Sequence, residues 1–227
     1  MSSKQSWLEA MYPRVRSWLP AAPAVVLELG CGSVGGFVPA LLFDGYPAVG
    51  IDPEAPEGAG YRRTEFERSE LPDDVDAVVA SVSLHHVADT GKVLDRVAAA
   101  LRPGGTVVVI EWDWESFDES SARWGFERLD WETADKGWLH RGYEHWQASR
   151  QPWKSYLHGW ATGHGLHSAR ALVDALDERF ERVSCERGAY LFPELADTTE
   201  SDELDAIAAG EIRALRIDYV GRRGPAA

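Results

Sequence analysis

A glutamate, two pairs of glycines and an aspartate, followed later by two histidines and two acids, are the residues of this chain whose types and spacing suit chemistry. In Val25-Val-Leu-Glu-Leu-Gly-Cys-Gly-Ser-Val-Gly-Gly-Phe37, Glu28 precedes Gly30 and Gly32, and Val49-Gly-Ile-Asp-Pro53 comes next. The apolar run Val25 to Leu29 suits a strand buried on both faces of a parallel sheet, and the glycines let the backbone turn and approach a ligand closely. Cys31 lies inside that turn, where a small side chain packs under a cofactor. Asp52 closes the second strand near the same edge, and a carboxylate there can accept hydrogen bonds from both hydroxyls of a ribose. This is the layout of a nucleoside-cofactor pocket. Further on, His85 and His86 follow the apolar run from Asp76, while Glu111 and Asp113 end the run from Thr106. An imidazole near neutrality can accept a proton from a hydroxyl or phenol, and a neighbouring carboxylate can orient it.

These residues need a scaffold, and the patterning predicts one. Residues 3 to 19 read as a helix with Trp7, Leu8, Met11, Val15, Trp18 and Leu19 on a broad apolar face, stopped by Pro20 and Pro23, with Pro13 as a point of kinking. A helix from Phe37 to Asp44 should end at Gly45, and a strand should follow from Ala48 to Ile51. Pro53 to Gly60 is too rich in proline and glycine for a long helix, so the next strand, about Tyr61 to Phe66, is expected to be short. Val75 to Ser81 and Thr106 to Glu111 read as buried strands around a helix from Thr90 to Leu101. Strands alternating with helices predict a parallel sheet covered on both faces.

Past Glu111 the alternation breaks, because residues 112 to 165 hold eight of the ten tryptophans. That stretch is expected to form an inserted cap at the carboxyl edge of the sheet, where α/β proteins bind ligands, with helices over Ser121 to Leu129 and Tyr143 to Gln151. Regular structure should resume with a helix from Ser168 to Glu178 and two strands, Phe180 to Arg187 and Ala189 to Phe192, turning near Gly188. A last helix over about Asp202 to Leu215 is weakened by Gly210, and the tail from Ile217 is expected either to pack over the cap or to remain loose. The expected division is an N-terminal helical segment 1–23, a core of 24–111 and 166–195, a cap of 112–165 and a C-terminal helix and tail 196–227.

The pattern Glu-x-Gly-x-Gly, with an acid at the next strand end, resembles the class I S-adenosylmethionine-dependent methyltransferases. Asp76-Ala-Val-Val-Ala-Ser-Val-Ser-Leu-His-His86 is similar to that family's fourth strand and following turn, and Leu101-Arg-Pro-Gly-Gly105 before Thr106 to its fifth-strand approach. One departure is visible: the family commonly reads Gly-x-Gly-x-Gly, and here Ser33-Val34 separates Gly32 from Gly35-Gly36, as if one residue were inserted. The resemblance implies a Rossmann-like, seven-stranded, mostly parallel sheet with an antiparallel C-terminal hairpin. It implies S-adenosylmethionine held by Glu28, Gly30, Cys31, Gly32, Asp52, Pro53, Glu67, Arg68, Ser81 and Val82. Glu28 would serve the glycine loop or the methionine amine, Asp52 the ribose, and Glu67 or the Arg68 backbone the adenine. It also implies a leading helix that folds over the cofactor, although packing beneath the sheet is the simpler alternative. Methyl transfer is an in-line displacement whose leaving group needs no acid, so alignment and exclusion of water matter most. A base is required only where the nucleophile must lose a proton. His85 is expected to be that base with Glu111 orienting it, His86 being the second candidate, and the cap residues Trp112, Trp114, Trp138, Tyr143 and Trp146 are expected to form the substrate pocket.

Composition bounds the rest. The 227 residues, 44% hydrophobic, suffice for one α/β core with an insertion. A net charge of −14 disfavours nucleic acid, which demands clustered Lys and Arg, so the expected partner is a small-molecule methyl acceptor. No apolar run approaches a membrane span, and the N-terminus lacks the apolar core of a signal peptide, so a cytoplasmic protein is expected. Cys31 and Cys185 lie far apart, and His158, His164 and His167 fit no common zinc spacing, so neither a disulfide nor a metal is expected. Tryptophan faces attract cations, but a small cap also needs large apolar groups for its own core, and the second reading weighs more. The aromatic cap or the last helix could support a homodimer. Two other classes stay open, an NAD(P)-dependent oxidoreductase and a binding protein that retains S-adenosylmethionine without catalysis.

Overall fold

The computed structural model describes residues 2–133 and 136–225. Helix α1 (Ser3–Trp18) starts where the Ser2 hydroxyl accepts the Gln5 N–H, and it runs unbroken through Pro13. Strand β1 (Val26–Leu29), α2 (Val38–Phe43), β2 (Ala48–Ile51) and β3 (Tyr61–Arg62) follow, then β4 (Val75–Ser81), α3 (Thr90–Ala100) and β5 (Leu101–Trp112). The cap supplies α4 (Glu119–Phe126), α5 (Trp138–Ser149) and α6 (Trp153–Gly163), and the chain returns through α7 (Ala169–Asp177), β6 (Glu181–Gly188), α8 (Glu200–Ala208) and β7 (Arg216–Arg222).

The seven strands lie in the order β3-β2-β1-β4-β5-β7-β6, with β7 alone running antiparallel to its neighbours. The antiparallel end of the expected sheet is therefore present, but its strands come from different residues. Ala189 to Phe192 form no second hairpin strand; they lead into a 3-10 turn, and β6 pairs instead with the tail strand at 216–222. The reason lies in burial: the first six residues of β7 are all buried between two neighbours, whereas β6 forms the largely exposed edge. The last helix also ends earlier than its apolar pattern predicts, at Ala208, because Gly210 turns the chain at φ 74°.

One apolar layer joins the sheet to α3 and α7, with Val93, Leu94, Val97, Leu172 and Leu176 buried against β4 and β5. A second joins the other face to α1 and α2 through Met11, Val15, Val38 and Leu41. The third is the cap's own core, built from Trp112, Trp114, Phe117, Phe126 and Trp153 with Leu191 and Leu215. Strand order reverses between β1 and β4, which opens a crevice at their carboxyl ends.

Candidate functional site

The glycine loop is organised by one buried carboxylate. Glu28, 2% exposed in the middle of β1, accepts the Phe37 N–H at 2.8 and 3.0 Å and the Val38 N–H at 3.1 Å. Those are unpaired donors at the start of α2, so Glu28 satisfies the helix N-terminus and ties the loop to the strand. Burial pushes its carboxyl up to about 8, against the lowering effect of the two backbone donors. The inserted residue is absorbed by Gly35 and Gly36, which take φ of 86° and 58°. A Cβ at Gly36 would lie 2.0 Å from Glu28 Oε1, and one at Gly30 would lie 2.2 Å from Ser83 Cβ, so both glycines are demanded by close approach.

This loop forms one wall of a cleft of about 1000 Å³. Of the residues expected at the cofactor, Glu28, Gly30, Cys31, Gly32 and Asp52 line it, as do Pro53, Glu67, Ser81 and Val82. Arg68 does not: its guanidinium pairs with Glu65 at 3.0 Å on the exposed side of the turn. At the end of β2, Asp52 accepts the Glu54 N–H through Oδ1 at 2.7 Å. Val82 sits at φ 51°, a costly conformation for a β-branched residue, and such strain collects at ligand sites.

The first helix covers the cleft. Lys4, Trp7 and Leu8, on one face of α1, line it. Trp7 Nε1 donates to Ser81 Oγ at 3.1 Å. The Lys4 ammonium rests on the glycine loop, where a Cβ at Gly32 would meet Nζ at 2.3 Å. Sequence reading placed Trp7 and Leu8 on the apolar face of a leading helix that the family resemblance set over the cofactor, and it did not single out Lys4; the i, i+3, i+4 spacing of Lys4, Trp7 and Leu8 was the available signal.

At the ends of β4 and β5, Glu111 is 2% exposed and acts as a hub. Its Oε1 accepts the Ser83 and Leu84 N–H groups at 2.8 and 2.6 Å, and its Oε2 lies 2.6 Å from His85 Nδ1. The expected His85–Glu111 pair is thus formed, but His85 is 3% exposed and does not line the cleft. Its neighbour His86 does, with ring centroids 4.0 Å apart. Burial, and the adjacent His85, lower the His86 pKa below its ordinary value.

The cap residues divide likewise. Trp138 lines the cleft, whereas Trp112, Trp114, Tyr143 and Trp146 do not. Tyr143 and Trp146 pack on Phe126 at 4.9 and 5.6 Å, and Trp114 donates its Nε1 to the His167 carbonyl at 3.1 Å. These rings build the cap's core, and of the cap tryptophans only Trp131 is more than a third exposed among the described residues. Sequence reading missed Tyr190, Glu194, Lys136 and Arg141, which also line the cleft. Among the described residues no group of three or more His, Cys, Asp or Glu could hold a metal ion.

Comparison with known proteins gives a consistent picture. A family model described as a methyltransferase domain matches residues 6–179. A 2-ketoarginine methyltransferase from Streptomyces arginensis is 36% identical over 126 residues, covering 47% of this chain and 37% of that protein. An uncharacterized methyltransferase from Mycobacterium tuberculosis is 31% identical over 172 residues, covering 70% of this chain and 80% of that one. The chain spans only 37% to 56% of the length of the first four curated relatives it matches. Among solved structures, an S-adenosylmethionine-dependent methyltransferase from Mesorhizobium loti superposes with a TM-score of 0.58 at 22% identity, covering 95% of this chain and all of that one, a likeness of fold.

Proposed function

We propose, from the premise that the chain belongs to the methyltransferase-domain family, that it transfers the methyl group of S-adenosylmethionine to a small-molecule acceptor held under the cap. The observation that carries this reading is the convergence of the Glu28-ordered glycine loop, Asp52 and Ser81 on one cleft at the strand-order reversal. The residues fit the cofactor: Gly30 and Gly32 present bare backbone to the cleft, Asp52 lines it with Oδ2 carrying no hydrogen bond among the described residues, and about 1000 Å³ accommodates a nucleoside with an acceptor beside it.

The roles follow from position. Asp52 would take the ribose hydroxyls, the Glu67 turn would border the adenine, and Lys4 on α1, at the glycine loop, would pair with the carboxylate of the methionine portion. When bound, S-adenosylmethionine supplies an electrophilic methyl on a sulfonium, and the protein's task is alignment. Trp7, Trp138 and Tyr190 form the apolar wall that excludes water and accepts a flat substrate. Where the nucleophile carries a proton, His86 is the group placed to receive it, because it reaches the cleft and its lowered pKa leaves it neutral at pH 7. His85 and Glu111 then serve as the support that fixes the turn. The free cysteines Cys31 and Cys185 agree with a reducing, cytoplasmic location, which belongs to the same proposal.

Incubation with methyl-labelled S-adenosylmethionine and a panel of phenols, amines, carboxylates and thiols tests this reading. Label should appear in an acceptor, with turnover in His86→Ala reduced at least tenfold for a protonated nucleophile and little changed for one that ionises unaided. Binding without transfer to any acceptor would favour a cofactor-binding protein without catalysis.

A further inference from the structure

Tyr190 stands out among the cleft residues because it is 9% exposed and yet its hydroxyl makes no hydrogen bond among the described residues. Its ring is held on three sides. Trp112 stacks parallel to it at 5.9 Å, Trp7 meets it edge-on at 5.2 Å and Trp138 lies tilted at 6.0 Å. Burial raises its pKa far above the ordinary phenol value, with Glu111 and Glu194 adding to the effect, so the hydroxyl keeps its proton.

The backbone that carries Tyr190 is clamped from behind. Glu203 on α8 is fully buried and accepts the N–H groups of Tyr190, Leu191 and Phe192 at 2.7, 3.0 and 2.7 Å. Three donors to one carboxylate fix the direction of the turn, and the same turn delivers Pro193 and Glu194 to the cleft. Helix α8 is itself tied to the sheet, because Glu200 pairs with Arg216 of β7 at 3.0 Å and with Arg14 of α1 at 3.1 Å.

The hydroxyl has no partner among the described residues and is not sealed inside the protein, so a rigid clamp that holds it at the cleft is explained when its partner arrives with a ligand. The ring neighbours of Tyr190 are Trp112 and Trp138 of the cap and Trp7 of α1, so it stands on the cap side of the cleft, and the acceptor held under the cap is the ligand it faces. We propose that Tyr190 contacts the methyl acceptor, its hydroxyl hydrogen-bonding an oxygen or nitrogen beside the methyl-accepting atom of a flat molecule, and that Glu203 is the positioning residue that aims it.

This inference rests on the methyl-transfer reading of the cleft, and the experiment separates the two. S-adenosylhomocysteine is titrated first; if the wild type fails to bind it, the methyl-transfer reading falls and the inference with it. The protein saturated with S-adenosylhomocysteine is then titrated with catechol and with toluene. The wild type should bind catechol at least about fivefold more tightly than toluene, the yield of one net hydrogen bond. Tyr190→Phe should lose that preference, keep its affinity for S-adenosylhomocysteine, and melt close to the wild-type temperature because the hydroxyl has no partner among the described residues to lose. Glu203→Gln sets an amide donor against backbone donors, and should lose the catechol preference while still binding S-adenosylhomocysteine; Glu203→Asp should regain part of it. The inference is overturned if neither probe binds the loaded wild type, if Tyr190→Phe keeps the preference, or if it melts several degrees lower.

Discussion

At the scale of single residues, three buried glutamates do similar work around the cleft: Glu28, Glu111 and Glu203 each accept backbone N–H groups from a turn that lines it. Glu28 carries a pH signature. Its folded carboxyl, at about 8, lies above the ordinary 4.5, so between those values the folded chain holds a proton that the unfolded chain releases. Its contribution to stability is therefore fully present below pH 4.5 and is lost as pH rises to about 8, with a slope of at most ~1.4 kcal/mol per pH unit. Urea unfolding between pH 5 and 8.5 should show this decline in the wild type and a flatter profile in Glu28→Gln; identical slopes would refute it. The residue types were readable because glycines followed by an acid form a one-dimensional signal. Which histidine reaches the cleft was not, since the 3-10 turn Leu84–His86 decides whether His85 or His86 lines it, and adjacent positions look alike in a sequence. The tryptophans posed the same difficulty: composition announced an aromatic cap, but only packing separates Trp138, which lines the cleft, from Trp146, which packs against the cap's core without reaching it.

Among the elements, the loop between β1 and α2 is the least tolerant. Gly36 combines φ 58° with a Cβ position 2.0 Å from Glu28, whereas Gly45 has φ 83° and nothing within 4 Å. Gly36→Ala should therefore cost roughly 2–4 kcal/mol and weaken S-adenosylhomocysteine binding, while Gly45→Ala should cost about 1 kcal/mol and leave binding alone. Chemical denaturation of both variants checks the ranking, and equal losses would contradict it. Helix α1 was legible as an amphipathic element, and its covering role follows from Lys4 and Trp7 reaching the cleft while Met11 and Val15 bury against the core. The alternating strands and helices up to Glu111 were also legible, because buried parallel strands are continuous apolar runs. The tail strand was not: Arg216 and Asp218 interrupt its apolar residues, and only the structure shows them pairing at 2.9 Å inside the sheet.

For the whole molecule, that pairing means the chain closes on itself late. Strand β7, from residues 216–222, sits between β5 and β6, so the sheet is incomplete until the last residues are in place. A chain ending at residue 210 should lose cooperative unfolding, as read by circular dichroism in urea; a sharp, native-like transition would show that β7 is dispensable. With the sheet complete, the glycine loop, the covering helix and residues of the cap line one cleft, in a molecule of net charge −14. That this cleft is built for S-adenosylmethionine is the central claim, and calorimetric titration with S-adenosylhomocysteine tests it most directly. The wild type should bind one equivalent in preference to NAD or NADP, and Asp52→Ala should weaken that binding at least tenfold. No binding by the wild type, tighter binding of NAD, or an unchanged affinity in Asp52→Ala would contradict it.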